Sequence, residues 1–149
     1  MVVYFPRNNH TDHAPHLISE KKGDYFSSKS GGSLVQHALV MLLELYHQDL
    51  ISLTQIVEKT SHNVAEAYRI KERGYIREGY YADLVLIDLN LSTTVNAKNI
   101  LYKCGWSPVS GQTFHSTITH TWVNGNLVFD NGHIDPRIKG MPLGFEKIR

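Results

Sequence analysis

The chain has 149 residues, of which 42% are hydrophobic, so it is long enough to bury one ordinary core. Its formal net charge is +1, and neither sign is concentrated in a long block. This pattern excludes the charged patches that are typical of nucleic-acid-binding and membrane-binding surfaces, so we expect the partner to be a small molecule or another protein chain.

The cysteine usage and the hydropathy predict a cytoplasmic protein. Cys104 is the single cysteine, which excludes an intrachain disulfide, and no apolar stretch has the length of a signal peptide core or a membrane span. Cys104 has neither a second cysteine nor a base at the spacing of a catalytic pair. We therefore interpret it as a buried structural thiol.

The first sixteen residues combine a short apolar run with a dense polar segment. Residues 2–5 predict a strand, and residues 10–16 then place Asp12 among three histidines. These are His10, His13 and His16. Imidazole and carboxylate groups are both zinc ligands, so the cluster is compatible with a divalent metal site. It is equally compatible with a polar surface loop, and the spacing alone leaves both interpretations open.

A loop and three helices are predicted next. Residues 17–33 are charged and rich in glycine and serine, which is typical of a surface loop. Apolar residues at helical spacing predict a helix over 34–46, with Ser33 as its N-cap. Its buried face would comprise Leu34, Ala38, Met41, Leu42 and Leu45. Two short helices would follow, over residues 52–59 and 64–70, with the second capped by residues 61–63.

After Gly74 the sequence pattern changes to that of strands. Residues 75–76 predict a strand, and residues 82–88 are apolar on both faces, which predicts a buried strand. We assign Asp83 a structural role, hydrogen-bonding the turn at Gly79.

A β-hairpin is predicted near the end of the chain. Residues 116–123 and 126–129 flank Asn124-Gly125, a pair that is typical of a type I′ turn because both positions need positive φ. Asn131-Gly132 would end the second strand in the same way. Residues 136–149 have weak periodicity and predict irregular coil.

The segment 11–16 reads Thr-Asp-His-Ala-Pro-His and resembles the segment that closes the eighth barrel strand in dihydroorotases of the amidohydrolase superfamily. Glu20-Lys21 and Gly31-Gly32 fall where that family has its Glu-Lys pair and its substrate loop. Residues 73–88 resemble the segment where amidohydrolases re-enter a small β-sandwich, and residues 121–125 resemble its terminal hairpin. The similarity keeps the family's order along the chain.

The resemblance implies an α/β fragment. Residues 1–73 would be the last strand, active-site loop and helices of a (β/α)₈ metal-dependent hydrolase barrel, and residues 74–149 a small antiparallel β-sandwich lobe with a C-terminal tail. A complete barrel takes about 200 to 250 residues. We therefore expect the first seven strands to lie on a segment that this chain lacks.

The resemblance also implies an activity, the zinc-dependent, reversible hydrolysis of dihydroorotate to N-carbamoyl-L-aspartate in pyrimidine biosynthesis. Asp12 would bind the metal, take a proton from the metal-bound hydroxide and give it to the leaving amide nitrogen. His16 would bind the substrate carboxylate, and backbone groups of Ser30 and Gly31 would contact the pyrimidine ring. His13 would support the loop.

One absence separates the chain from a complete enzyme of this kind. The sequence has no His-x-His pair, so we expect this chain to hold zinc in neither a one-metal nor a two-metal site, and the activity to belong to a longer protein. Two alternatives stay open. The chain could be a non-catalytic, dihydroorotase-like interaction domain, or part of another cyclic amidohydrolase of the hydantoinase or allantoinase type.

We also expect a homo-oligomer. In a barrel fragment the helices over 34–70 would lack the strands that cover their apolar faces, which leaves Leu39, Leu42 and Leu43 exposed. A two-fold dimer is the commonest way to cover such a surface, and a strand at 2–5 would add an unpaired edge.

Overall fold

The structure is a computed structural model that describes residues 11–147. The strand predicted for residues 2–5 and His10 lie outside the described residues. The helices are α1 (Ala38–His47), α2 (Leu53–Val57) and α3 (Asn63–Ala67), with a 3-10 turn at Ile18–Lys21 and a π-helical turn at Glu58–His62. The strands are β1 (Leu84–Asp88), β2 (Thr93–Thr94), β3 (Thr113–Phe114), β4 (Thr117–Val123), β5 (Asn126–Asp130) and β6 (His133–Ile134). Nowhere in residues 11–147 is a helix both long and apolar enough to span a membrane.

Helix α1 begins later than the sequence predicts, because Ser33 has another partner. The Ser33 hydroxyl is fully buried and donates to the carbonyl of Trp106 at 2.8 Å, so Ser33 is not the N-cap. The helix begins at Ala38, and its buried residues are Val40, Leu42 and Leu43. Met41, predicted on the buried face, is 36% exposed, whereas Leu43 is 1% exposed.

Two apolar clusters on either side of α1 explain this wide buried face. One cluster joins Val40 to Val95, Val109 and Phe114. The other consists of Leu42, Leu43, Ile51 and Ile56, with Leu39, Ile87 and Leu89 packed against it. The expectation that Leu39, Leu42 and Leu43 lack cover is therefore wrong, because α2, β1 and the residues after β1 cover them.

The second and third predicted helices form one continuous helical run. Ser52 begins it with a capping box: its hydroxyl accepts from the Gln55 amide, and the Gln55 side chain accepts from the Ser52 amide. The π-helical turn joins α2 to α3 directly, so the cap predicted at residues 61–63 is wrong, and no side-chain cap forms at His62. The His62 ring instead stacks on Tyr75, with centroids 4.2 Å apart.

A four-stranded antiparallel sheet of order β1-β4-β5-β6 forms the second half of the fold. The predicted hairpin is confirmed: β4 and β5 pair across Asn124-Gly125, with φ of 52° and 79°. Asn131-Gly132 makes the next reversal at φ of 45° and 93°. Residues 136–147 are mainly irregular, as predicted. An isolated antiparallel bridge joins Phe145 in this segment to Ile70.

The strand predictions before this hairpin need correction. Residues 75–76 do not form a strand, and a bend lies at Gly74 and Tyr75. Strand β1 is largely exposed, with Val85 46% and Leu86 51% accessible, although its sequence predicts burial on both faces. The side chains of a strand point to the two faces of its sheet, and of the β1 residues only Ile87 packs against one of the two buried clusters. Cys104, predicted to be buried, is partly exposed, and its thiol lies 3.6 Å from the carbonyl of Trp106.

A buried arginine joins the helical half to the hairpin. The Arg73 guanidinium pairs with the Asp83 carboxylate and donates to the Asn124 side chain at 2.6 Å. Asp83 also accepts from the Asn124 amide at 2.8 Å. Asp83 is therefore structural, as predicted, but it acts on the hairpin turn at Asn124 and not on the turn at Gly79.

The position of α1 between two clusters predicts unequal costs for two truncations on that helix. Leu43→Ala should lower the free energy of unfolding by about 2–5 kcal/mol, because it leaves a cavity in a closed core. Met41→Ala, the matched control, should cost less than about 1 kcal/mol, as expected for a surface position. Urea denaturation monitored by circular dichroism measures both, and equal costs would mean that the helix is rotated relative to this description.

Candidate active site

Asp12 lies beside Gly31 and Gly32, at the end of the loop 17–33. Its carbonyl accepts from the Gly32 amide at 3.3 Å, and the Gly32 carbonyl accepts from the Ala14 amide at 3.0 Å, which makes a parallel bridge at His13. The Asp12 side chain is exposed, and its backbone has φ of 46°, a conformation in which aspartate is enriched because it costs other side chains more. The bridge thus presents an open carboxylate next to residues 31–32.

Gly31 is required at this bridge by space and by backbone conformation. Its φ is 76°, and a Cβ built on it would lie 2.5 Å from the Cβ of Ala14 and 3.0 Å from the carbonyl oxygen of Asp12. A side chain there would push the two segments apart. The close approach therefore brings Gly31 next to Asp12.

His16 lies four residues after Asp12 and is oriented by two polar contacts. Its Nδ1 is 3.8 Å from the Glu20 carboxylate, which also accepts from the Leu17 amide at 2.8 Å. The indole Nε1 of Trp106 donates to the carbonyl of His16 at 2.8 Å. Trp106 is a contributor that sequence reasoning missed, because the bond joins residues 90 positions apart.

His13 supports the loop, as predicted. Its Nδ1 accepts from the amides of Leu34 and Val35 at 3.3 and 3.4 Å, and its ring packs on Tyr102 with centroids 5.4 Å apart. A neutral imidazole that accepts at Nδ1 carries its proton on Nε2. A metal ligand needs a free lone pair, and in this form of His13 neither ring nitrogen has one.

Tyr102 is itself held by a buried histidine. Its hydroxyl lies 3.2 Å from Nδ1 of His37 and accepts from the Gln36 amide at 2.8 Å. Burial lowers the pKa of His37, because the charged form of the ring would lose its solvation there. His37 is buried and lines a cavity of about 570 Å³ between α1 and the sheet. The contacts from His13 through Tyr102 to His37 therefore connect the Asp12 segment to the core.

Ser30 and Gly31 end the loop, and Lys21 determines the direction of their backbone. The Lys21 Nζ donates to the carbonyls of Lys29 and Ser30 at 2.8 Å each and to that of Gly31 at 2.5 Å. Ser30 is exposed and Gly31 is partly exposed. The structure therefore brings Asp12 and Gly31 together and places His16 and Ser30 on the same folded segment.

The described residues do not form a zinc site by themselves. Catalytic zinc takes three protein ligands, drawn from histidine, carboxylate and cysteine. Within residues 11–147 no group of three or more such side chains is arranged to hold an ion. Asp12 offers one carboxylate, and the lone pair of His13 is engaged by backbone amides. Any metal bound here would need ligands from outside this region.

The sequence also matches the model of one protein family, described as "Amidohydrolase family", over residues 7–128. The chain belongs to the amidohydrolase family. The match contains both the Asp12 segment and the β4–β5 hairpin.

The proteins similar to this amidohydrolase chain include allantoinases and dihydroorotases. It is 33% identical to an allantoinase of Desulfitobacterium hafniense over 135 residues, which is 90% of this chain and 29% of that protein. It is 30% identical to a dihydroorotase of Pyrococcus horikoshii over 134 residues, covering 90% of this chain and 30% of that protein. The chain therefore spans less than a third of the length of the curated relatives it matches.

Solved structures show the same fold. A D-hydantoinase from a Thermus species superposes with a TM-score of 0.80 at 19% identity, covering 87% of this chain and 29% of that one. A dihydropyrimidinase from Brevibacillus agri superposes with a TM-score of 0.77 at 25% identity, covering 86% and 29%. The arrangement of helices and sheet in this chain thus matches part of each of these larger proteins.

Replacing Gly31 by alanine should destabilise the fold more than its backbone conformation alone would, because the new Cβ would collide with Ala14. Gly31→Ala should lower the free energy of unfolding by more than the roughly 1–2 kcal/mol that a left-handed alanine costs. Gly105→Ala is the matched control, because Gly105 has φ of 71° and open space around its Cβ position. Thermal denaturation of both variants measures the difference, and an equal loss would mean that the Asp12 and Gly31 segments do not approach this closely.

Proposed function

We propose that this amidohydrolase chain is the part of a cytoplasmic dihydroorotase that carries the proton-transfer residue of the reaction. The reaction is the reversible hydrolysis of (S)-dihydroorotate to N-carbamoyl-L-aspartate in de novo pyrimidine biosynthesis. The observation that carries the proposal is the segment 11–16, in which the exposed carboxylate of Asp12 lies next to Gly31, its backbone carbonyl accepts from Gly32, and His16 follows on the same segment.

In this proposal Asp12 moves one proton. A carboxylate oxygen accepts the proton of the attacking water as the oxygen adds to the ring carbonyl, and returns it to the amide nitrogen as the ring C–N bond breaks. An exposed carboxylate can do both steps because it is the base before the attack and the acid after it. The amides of Ser30 and Gly31 contact the ring, and His16 binds the substrate carboxylate.

The proposed zinc site belongs to a longer polypeptide. The family resemblance implies a one-metal or two-metal centre, and Asp12 would be one of its ligands. We propose in the same way that residues 1–73 belong to the last part of a (β/α)₈ barrel and residues 74–149 to its β lobe. Support for this comes from the D-hydantoinase superposition, in which the chain covers 29% of a larger protein.

Two other functions have specific support. The 33% identity to an allantoinase supports a second cyclic amide as an alternative substrate. The proposed proton transfer by Asp12 would open that ring in the same way. A non-catalytic interaction domain is compatible with the absence of a metal-ligand group in the described region. The retained Asp12 favours a hydrolase, since an inactive domain has no chemical need for this carboxylate.

The ligand count predicts that the 149-residue chain alone neither retains zinc through dialysis nor turns over dihydroorotate. Metal analysis and an assay of ring opening measure this. Stoichiometric zinc together with activity that Asp12→Ala abolishes would mean that the chain builds a complete site.

The proposed substrate is tested in a chimera. The chain replaces the aligned 134 residues of the Pyrococcus horikoshii dihydroorotase, and the product is assayed with dihydroorotate, allantoin and hydantoin. We expect turnover of dihydroorotate, and Asp12→Asn should lower kcat by about 10²–10⁴-fold, the usual contribution of a general base. Asp49→Asn is the matched control, because Asp49 is also exposed and has positive φ. A folded chimera that opens allantoin or hydantoin instead contradicts the substrate, and a folded but inactive one favours the non-catalytic domain.

We also propose that the chain associates with itself through β1. This edge strand exposes Leu84, Val85 and Leu86 and has neither proline nor lysine to block pairing with another strand. Sedimentation equilibrium over a tenfold or larger concentration range should show dimers, which Val85→Lys should weaken. A 16.9 kDa monomer throughout would contradict the proposal.

A further inference from the structure

Lys21 occupies an unusual position for a charged residue next to a candidate active site. It is the last residue of the 3-10 turn Ile18–Lys21, and its side chain is partly buried. The ammonium group has three N–H donors, and three consecutive carbonyls converge on it, those of Lys29, Ser30 and Gly31. A compact ammonium can satisfy this geometry, whereas the planar guanidinium of arginine cannot reach three converging acceptors equally.

This contact determines where the backbone amides of the loop point. The described peptide bonds are trans, and in a trans peptide unit the C=O and the following N–H point in opposite directions. Because the carbonyls of residues 29–31 face Lys21, the amides of Ser30, Gly31 and Gly32 must face away from it. The Gly32 amide accordingly donates to the Asp12 carbonyl at 3.3 Å, on the far side of the loop from Lys21.

The other two amides remain available. Among the described residues none accepts a hydrogen bond from the amide of Ser30 or of Gly31. Successive amides that point to one side of a turn containing a left-handed residue form a concavity that attracts an oxygen atom, and Gly31 has the required φ of 76°. The charge-assisted bonds on the carbonyl side polarise these peptide units, which makes their N–H groups stronger donors.

We propose that Lys21 is a positioning residue, which holds residues 29–31 so that the amides of Ser30 and Gly31 act as a pair of donors to a carbonyl oxygen of the cyclic amide. The same contact orders Gly32 and, through it, Asp12, so that one lysine sets both the oxygen-binding amides and the proton-transfer residue. The identity of the bound oxygen rests on the proposed function, whereas the direction of the amides does not.

The loop geometry is tested by nuclear magnetic resonance on the 149-residue chain. Lys21→Met removes the three donors and keeps the aliphatic stem, so the amide ¹⁵N signals of Ser30 and Gly31 should shift. Exchange of the Gly32 amide proton should accelerate about tenfold or more, the effect of losing one or two ordinary hydrogen bonds. Lys22→Met is the matched control, because the neighbouring Lys22 is exposed and the charge change is the same. Signals unchanged by Lys21→Met, or changed equally by Lys22→Met, would overturn the proposal.

A measurement on the unaltered chain covers the case in which Lys21→Met fails to fold. With ¹⁵N-labelled lysine and ¹³C-labelled backbone, couplings across hydrogen bonds should connect the Lys21 Nζ to the carbonyl carbons of residues 29–31. Absence of all three couplings at low temperature, while the Asn124-Gly125 hairpin signals show a folded chain, would contradict the proposal independently of any variant.

The substrate part of the proposal is tested in the chimera with the Pyrococcus horikoshii dihydroorotase. Lys21→Met should raise KM for dihydroorotate about tenfold with a smaller change in kcat, because the amides bind the ring carbonyl before the reaction begins. Lys21→Arg should recover part of this loss, and Lys22→Met should have no effect. An unchanged KM in an active chimera contradicts the role in substrate binding. A chimera that is inactive with Lys21 in place contradicts the proposed function, and the resonance measurements then decide the role of the lysine alone.

Discussion

The hydrogen bonds of Trp106 and Ser33 hold the candidate site against the rest of the fold. The Trp106 indole donates to the carbonyl of His16, and its own carbonyl accepts from the buried Ser33 hydroxyl. One residue of the second half of the chain thus holds both ends of the loop 17–32. This loop contains no helix of more than one turn, so these two contacts and Lys21 add to the few backbone bonds that hold it. They support the direct bridge between the Asp12 segment and Gly32.

The features that could be predicted from sequence are those that local rules determine. The hairpin at Asn124-Gly125 needs positive φ at two adjacent residues, and the capping box at Ser52 needs partners three residues apart. The segment 11–16 identified the family because its six residues are specific in themselves. Each of these signals lies within a few positions of the chain, so no knowledge of the tertiary packing is required to interpret it.

The features that could not be predicted depend on contacts between distant residues. Serine is a common N-cap residue, but the hydroxyl of Ser33 donates instead to the carbonyl of Trp106, 73 positions away. Strand β1 has the apolar sequence of a buried strand, but Val85 and Leu86 stay about half exposed because no described element covers those faces. Lys21 belongs to the Glu20-Lys21 pair that resembles the family motif. Its three acceptors, the carbonyls of residues 29–31, come together only when the loop folds. Sequence periodicity describes one element at a time and cannot predict which other element will cover it.

The same distinction explains why the family is clear and the substrate remains a proposal. The matching proteins are named allantoinase, hydantoinase and dihydroorotase. The roles proposed for Asp12 and for the amides of Ser30 and Gly31 would suit the opening of any cyclic amide. Dihydroorotate differs by a carboxylate on the ring, which requires a donor or a positive charge beside the ring. The proposed function assigns this task to His16. Glu20 lies on its Nδ1 side, so Nε2, on the opposite side of the ring, is the nitrogen that can meet a substrate carboxylate. Under the proposed function, the choice of substrate would therefore rest on this imidazole and not on Asp12, whose proton transfer would serve any cyclic amide.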